Sequence, residues 1–488
     1  MTFQFIDNSI IDRRTRKLIR SHVMQGINKG RTITRPSKKA AIRKRANTVS
    51  PDTEQSSVSP VSSEVSSVVE QMAGPPPLAL GLPIGHRFSS VRLPIEPGPY
   101  ARRRLTQCMF HHWLLCLLQL MKLYLVFQLV GDALYPPEFC SQQDHVTSVW
   151  FEYMSTDAAF LHCTIAMCAS FIELFLGKTK AVTRSSIPPD ALAHIAHAFR
   201  LTNGRLSSEE ALTNNTMASV VSLSLHEQLL QDYATGRIHL QGLARIVSLR
   251  GGLLQLPREL AHKICRCDID VALHEGTAPL LHYPGISGAQ VYALFGTQRK
   301  HSRLAELHPY PELDFIAADI STITDFLNST TKPRKLEPIA YQDLVIDLGY
   351  RLLDYRSLSC QLPRDSLQVA LHLSLTAFLT TFILQFGYQR RIHFNSLSLG
   401  LRDALRGPWT CEPANRSFLL WALVVAGISE FGPNDHQWLL PAIRFTAAEL
   451  GVRDWQRLQA AMLEYPWARV LHDESAKTLW DLVSSIEI

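Results

Sequence analysis

The 488 residues carry 49 Lys and Arg against 43 Asp and Glu, a formal charge of +6, with 46% hydrophobic and 19% charged residues. That is the composition of a globular chain long enough to bury a large core, and it excludes collagen-like or wholly disordered classes. The nine cysteines (108, 116, 140, 163, 168, 265, 267, 360 and 411) follow no regular spacing and include no C-x-x-C pair, which excludes the usual zinc-finger and zinc-ribbon chelates and the six-cysteine binuclear zinc cluster.

The chain opens on a cationic arm. Residues 1–46 hold 13 of the 49 basic residues, and no acid stands between Asp12 and Asp52. With Asp7 and Asp12 counted in the arm, the rest of the chain holds 36 basic and 41 acidic residues. The net charge is therefore an average of a basic arm and a slightly acidic body, a split that points to a polyanion or a nuclear import receptor as the arm's partner. Within the arm, Ile11, Leu18, Ile19 and Val23 fall at helical spacing among Arg13, Arg14, Arg16, Lys17 and Arg20. A short amphipathic helix of this kind can fold onto phosphates, a membrane surface or an acidic partner. Lys38, Lys39, Arg43, Lys44 and Arg45 form a second block of nuclear-localisation type. Neither block is a base-reading module, so the arm implies nuclear import and sequence-independent contact with DNA phosphates, and no specificity. The N-terminus shows no apolar core of a secretory signal, and Asp7 and Asp12 count against a mitochondrial presequence.

Residues 47–99 read as a disordered linker. Eight serines lie between Ser50 and Ser67, and prolines follow at 75, 76, 77, 83, 94, 97 and 99; too little apolar surface is available there to offset chain entropy. From Trp113 to Val130 the chain is apolar over nearly a membrane thickness, but Lys122 sits near the middle. A central lysine costs about 2.5–3.5 kcal/mol on insertion, so a buried helix is expected and no membrane partner.

Residues 100–488 are expected to form an all-α domain, a large multi-helix body of stacked helix pairs. Ser207-x-x-Glu210 reads as a capping box opening a helix through Val220 and Leu225. Ile238–Leu249 continues as a helix that Gly251-Gly252 ends. Asp365–Phe386 is apolar nearly all round, the mark of a central helix. Phe418–Ile428, Gln437–Leu450, Asp454–Leu463 and Lys477–Val483 read as a closing series of helices.

Catalytic motifs are absent: no P-loop, G-x-S-x-G elbow, H-E-x-x-H or dinucleotide fingerprint occurs. His194 and His197 can share a helix face but lack an evident third ligand. Cys265-x-Cys267 is too tight for a chelate and reads as one buried and one peripheral thiol. Asp268 and Asp270, two residues apart, cannot share a helix face and do not form a paired-carboxylate site. Arg250 is expected to bond helix C-terminal carbonyls or a buried acid. No catalytic, cofactor-binding or metal-binding residue is assigned, no cofactor is expected, and an enzyme is not the expected class.

Several stretches resemble one known family. Phe5-Ile6-Asp7 with Thr15 to Met24, Leu134-Tyr135-Pro136-Pro137, Trp150 to Phe160, His239 to Leu253 with its Leu249-Arg250-Gly251-Gly252-Leu253 core, and Asp268 to Leu273 are similar to fungal-specific transcription factor domain proteins. Leu420-Trp421-Ala422-Leu423, Trp438, Tyr465-Pro466-Trp467 and Leu479-Trp480 continue the resemblance in order. It covers most of residues 1–30 and about 134–488, and belongs to the members that lack the binuclear zinc cluster. It implies a nuclear transcriptional regulator, of the kind that controls a metabolic or secondary-metabolite gene set, with a helical body for regulation, dimerisation or contact with other transcription factors. A helical adaptor without DNA contact and a biosynthetic-pathway protein stay open beside it. The tryptophans and Tyr465 are expected in the core.

Overall fold

The computed structural model describes residues 126, 128–141, 144–176, 187–285, 303–306, 310–329, 335–358, 366–383 and 393–485. The arm with Arg13, Arg14, Arg16, Lys17, Arg20, Lys38, Lys39, Arg43, Lys44 and Arg45, the linker and most of the apolar run 113–130 lie outside the described residues.

The described residues are all-α, as expected, with no strand among them; a single parallel bridge joins Cys140 to Leu336. After a helical segment over residues 128–134, the long helices are α1 (Asp144–Thr156), α2 (Ala158–Leu176), α3 (Pro189–Leu206), α4 (Asn214–Leu229), α5 (Tyr233–Leu249), α6 (Arg258–Glu275) and α7 (Pro311–Asn328). Then come α8 (Pro338–Tyr355), α9 (Leu367–Ile383), α10 (Asn395–Ala404), α11 (Arg416–Ser429), α12 (His436–Glu449), α13 (Trp455–Met462) and α14 (Arg469–Ser484).

Local chemistry sets the boundaries. Asp157 stands alone between α1 and α2; its carboxylate accepts the Phe160 N–H at 2.7 Å and pairs with Arg205 at 2.6 Å, fixing a 116° bend. The expected capping box at Ser207 is displaced. Ser207 ends α3, Ser208 caps a short 3-10 turn over Glu209–Leu212, and Thr213 caps α4 by accepting from the Thr216 N–H. The turn preserves the apolar spacing across the break, so the pattern reads as one helix. Gly251 and Gly252 do end α5, with φ of 92° and 98°, a conformation that side chains disfavour. Arg250 donates to the carbonyl of Leu212 at the end of the 3-10 turn, so it ties two helix ends together.

Packing joins sequential neighbours. α2 lies on α3, α4 on α5 and α11 on α12, while α6 crosses to α8 and α9 to α11. One continuous apolar core runs from Val126 to Val483, with small satellites at Cys163–Ala198 and at Ile187–Leu230. α11 is buried at every residue from Phe418 to Ser429. Its Trp421 is fully buried and donates its indole N–H to the Pro466 carbonyl at 3.0 Å. Trp467, Tyr465 and Trp480 are also buried, as the sequence led us to expect. His472 is enclosed by Phe378, Phe382 and Trp467. Its Nδ1 accepts the Ala468 N–H, and Thr381 Oγ1, already donating to the Phe378 carbonyl, faces Nε2 at 2.9 Å. That fixes the neutral Nε2–H tautomer, and burial holds the imidazole down at about 3.

Gly427 marks the tightest point of this region. A Cβ there would stand 2.6 Å from Leu479 Cδ2 of α14 and 3.2 Å from Leu439 Cδ2 of α12. Gly427→Ala should gain about 1 kcal/mol of helix propensity and lose about 1–3 to overpacking. A net loss of stability in urea unfolding is expected, with a larger loss for Gly427→Val.

No single helix among the described residues is long and apolar enough to cross a membrane; α1 and α2 meet the length and composition test only as the bent pair.

Candidate functional site

The polar chemistry of the body converges on α6. Its sequence, RELAHKICRCDIDVALHE, is rich in ionisable residues, yet twelve of its eighteen residues are buried, among them His262, Cys265, Cys267, Asp268 and Asp270. Buried polar groups must be partnered, so α6 sends them outward in four directions to four sets of neighbours.

Toward α8, Asp343 collects three donors. His262 Nε2 lies 2.7 Å from Oδ1, the Tyr283 hydroxyl donates to the same oxygen at 3.3 Å, and Arg258 pairs with Oδ2. Burial alone would raise this carboxyl, but His262 and Arg258 outweigh it and hold it below the ordinary carboxylate range. With Nε2 donating to Asp343, the other ring nitrogen, Nδ1, is buried without a hydrogen-bond partner.

One turn further, Asp268 accepts the Leu280 and Leu281 N–H groups, each at 2.8 Å, and the Tyr350 hydroxyl, also at 2.8 Å. It folds the segment after Gly276 back along the helix. The Cys265 thiol lies within hydrogen-bonding reach of the same Tyr350 hydroxyl. Burial pushes both Cys265 and Tyr350 upward, so the thiol stays protonated. Arg266 reaches Gln342, whose amide donates to the Leu134 carbonyl at 2.6 Å, and hydrogen-bonds Tyr135. The Leu134-Tyr135-Pro136-Pro137 motif is thereby anchored to α6 and α8.

Toward α4, the Cys267 thiol donates to Ser224 Oγ at 3.3 Å, and Gln228 Nε2 donates to the sulfur at 3.1 Å. Cys265 and Cys267 are both fully buried. The reading of one buried and one peripheral thiol is corrected: α6 packs against α4 on the Cys267 side and against Tyr350 of α8 on the Cys265 side, so residues two apart both face protein.

Toward α1 and α2, Lys263 places Nζ 4.5 Å from the Trp150 ring centroid and 4.7 Å from that of Phe160, and donates to Ser222 Oγ at 2.9 Å. Burial, reinforced by the Arg266 cation, pulls the ammonium down to about 7. Toward α5 and α10, Asp270 and His274 lie together, Oδ1 to Nε2 at 3.9 Å, with His274 between the rings of Tyr233 and Phe394.

A second polar cluster joins α2 to α3. His162 Nδ1 meets His194 Nδ1 at 2.6 Å and stacks on His197 at 5.1 Å. The pair seen in the sequence thus has a third histidine, which no local spacing could reveal. A 2.6 Å contact between two ring nitrogens is a shared N–H···N bond. Among the described residues no group of three or more His, Cys, Asp or Glu is placed to hold a metal ion.

Asp268 and Asp270 diverge to separate neighbourhoods, as their spacing requires. His262, Lys263, Tyr283, Asp343 and Tyr350 carry the network, and the sequence reading missed them. The signal was present in α6, whose charged residues leave no continuous polar face for water.

No family model, curated protein or solved structure matches this chain.

Proposed function

We propose that this protein is a nuclear transcriptional regulator of the fungal-specific transcription factor domain type, lacking the zinc cluster, in which the arm supplies nuclear import and phosphate contact and the helical body supplies regulation and partner binding. The observation that carries this reading is the charge split: 13 basic residues in the first 46, uninterrupted by acid from Arg13 onward, ahead of a slightly acidic body. The resemblance set out above supports it. Residues that carry the resemblance do scaffold work: Gly251-Gly252 turns the chain, Asp268 pins a loop, and Trp421 bonds Pro466.

Two measurements on the full chain test the reading. With Lys38, Lys39, Arg43, Lys44 and Arg45 changed to Ala, a tagged protein should leave the nucleus; wild type found outside the nucleus would sink the import role. Duplex DNA should bind the wild type at low salt and lose about a thousandfold or more in affinity between 50 and 200 mM salt if six or more phosphates are engaged. No binding at low salt would favour the adaptor without DNA contact.

A further inference from the structure

α3 and α5 both pack on α4, and they meet each other at two levels. Midway along, the Phe199 and His239 rings lie 5.5 Å apart. At the C-terminal end, Arg250 donates to the carbonyl of Leu212 in the 3-10 turn that follows α3. The two helices therefore run side by side in the same direction, and each leaves an apolar stripe uncovered along the seam. On α3, Leu192 and Leu206 stand two helical turns either side of Phe199, on its face of the helix, and both are exposed. On α5, Ile238, Gly242 and Leu249 share one stripe, with Ile238 52% and Leu249 64% exposed. A Cβ at Gly242 would meet no heavy atom within 4 Å, so the stripe is open at its middle. Adjoining exposed aliphatic stripes of this kind mark a surface that binds an apolar face.

The charges along the seam are of one sign. α5 contains no acid, and α3 contains one, Asp190, in its first turn. Asp232 caps α5, Glu210 pairs with Arg205 at 3.3 Å, and Glu209 lies on the 3-10 turn beyond the end of α3. Of the arginines, Arg205 also pairs with Asp157, and Arg237 pairs with Glu275. Arg200 and Arg245 stand exposed between the helix ends and face no carboxylate among the described residues. This pair repels the chain's own cationic arm. A second copy seated on the same patch would bring two such pairs together. The partner that matches apolar stripes flanked by unpaired arginines carries apolar residues and carboxylates on one helix.

We propose that α3 and α5 form a docking trough for an acidic amphipathic helix of a partner protein, whose apolar residues seat against Leu206, Ile238 and Leu249 over the gap at Gly242 and whose carboxylates meet Arg200 and Arg245. The trough goes beyond the regulatory reading and does not rest on it.

The test follows, by fluorescence anisotropy on the full chain, a labelled helical peptide of about 15 residues with leucines at i, i+3, i+4 and i+7 spacing and glutamate elsewhere, beside the same peptide with lysine for glutamate. Wild type should bind the glutamate peptide more tightly. Because the arm also attracts acidic peptides, the deciding quantity is the change caused by substitutions in the body. Gly242→Leu removes a glycine from a helix interior and meets no neighbour at Cβ, so it should keep or raise the urea midpoint while weakening the glutamate peptide about tenfold or more. Arg200→Glu combined with Arg245→Glu should weaken the glutamate peptide and strengthen the lysine peptide. Should Gly242→Leu misfold, the charge reversal decides. Equal binding of the two peptides by wild type, or glutamate-peptide binding that neither substitution changes, would overturn the proposal. So would a wild-type dimer in sedimentation equilibrium that Gly242→Leu dissociates, or binding of a peptide of residues 8–27 that Gly242→Leu abolishes, since the occupant would then be a second copy or the arm.

Discussion

Asp268→Ala should destabilise the body by about 2–4 kcal/mol in denaturant unfolding, with the loss concentrated where the chain folds back on α6. Asp268 is 1% exposed and accepts from two consecutive backbone N–H groups and the Tyr350 hydroxyl. Truncation leaves all three donors without an acceptor. Each unsatisfied buried group costs about 1–3 kcal/mol. Leu280 and Leu281 are only partly buried, so water recovers part of that cost for their N–H groups, and Tyr350, 2% exposed, bears the rest. Hydrogen exchange at the Leu280 and Leu281 amides should accelerate more than at α11. Equal acceleration everywhere would mean that Asp268 acts through global packing instead. Protonation is a different experiment from truncation. Burial outweighs the three bonds and leaves this carboxyl above its ordinary value. The folded state therefore holds the proton more tightly than the unfolded chain, and Asp268 contributes no stability that acid would remove.

The sequence and the structure agree where the determinant is local. Gly251-Gly252 needs only two residues to announce a left-handed stop, and the periodicity of α11 or α12 is visible within four turns. The polar network around α6 is built otherwise. His262 finds Asp343 eighty-one residues away, and Asp268 finds Tyr350 after eighty-two. Neither partner stands in any pattern that one sequence displays. Lys263 shows the same limit in sharper form: its neighbours Trp150, Phe160 and Ser222 come from three helices, and an aromatic stripe on α1 reads simply as core. What local reading offered was indirect. A helix carrying so many charges with apolar residues on every side has to bury some of them. The capping box at Ser207 failed for a related reason, since the true caps at Ser208 and Thr213 divide a stretch whose apolar spacing runs on unbroken.

Asp270→Asn should make the protein more stable at pH 8 and leave it nearly unchanged at pH 4. Asp270 is 8% exposed, and its Oδ1 has no hydrogen-bond partner. His274 Nε2 stands 3.9 Å from that oxygen, and burial pushes the histidine down to about 4. The same burial pushes the carboxyl up to about 7. Between these values both groups are neutral, so the contact is not an ion pair at neutral pH. An unfolded chain releases the Asp270 proton near 4, whereas the folded chain keeps it until about 7. Across that window the folded state binds more protons, and stability falls as pH rises, levelling off above about 7. The full shift sets an upper bound of about 4 kcal/mol, and relaxation around the carboxylate reduces the expected gain from Asn to about 1–3 kcal/mol. His274 has the opposite sign: its depressed value makes stability rise between about 4 and 6.5. Because His274 is present in both proteins, its contribution cancels in the difference to the extent that the two groups titrate independently. Urea unfolding of wild type and Asp270→Asn at pH 4.5, 6 and 8 reads the increment directly. A gain that grows with pH follows from an uncompensated buried carboxylate, whereas a gain or loss independent of pH would show that Asp270 has found a partner.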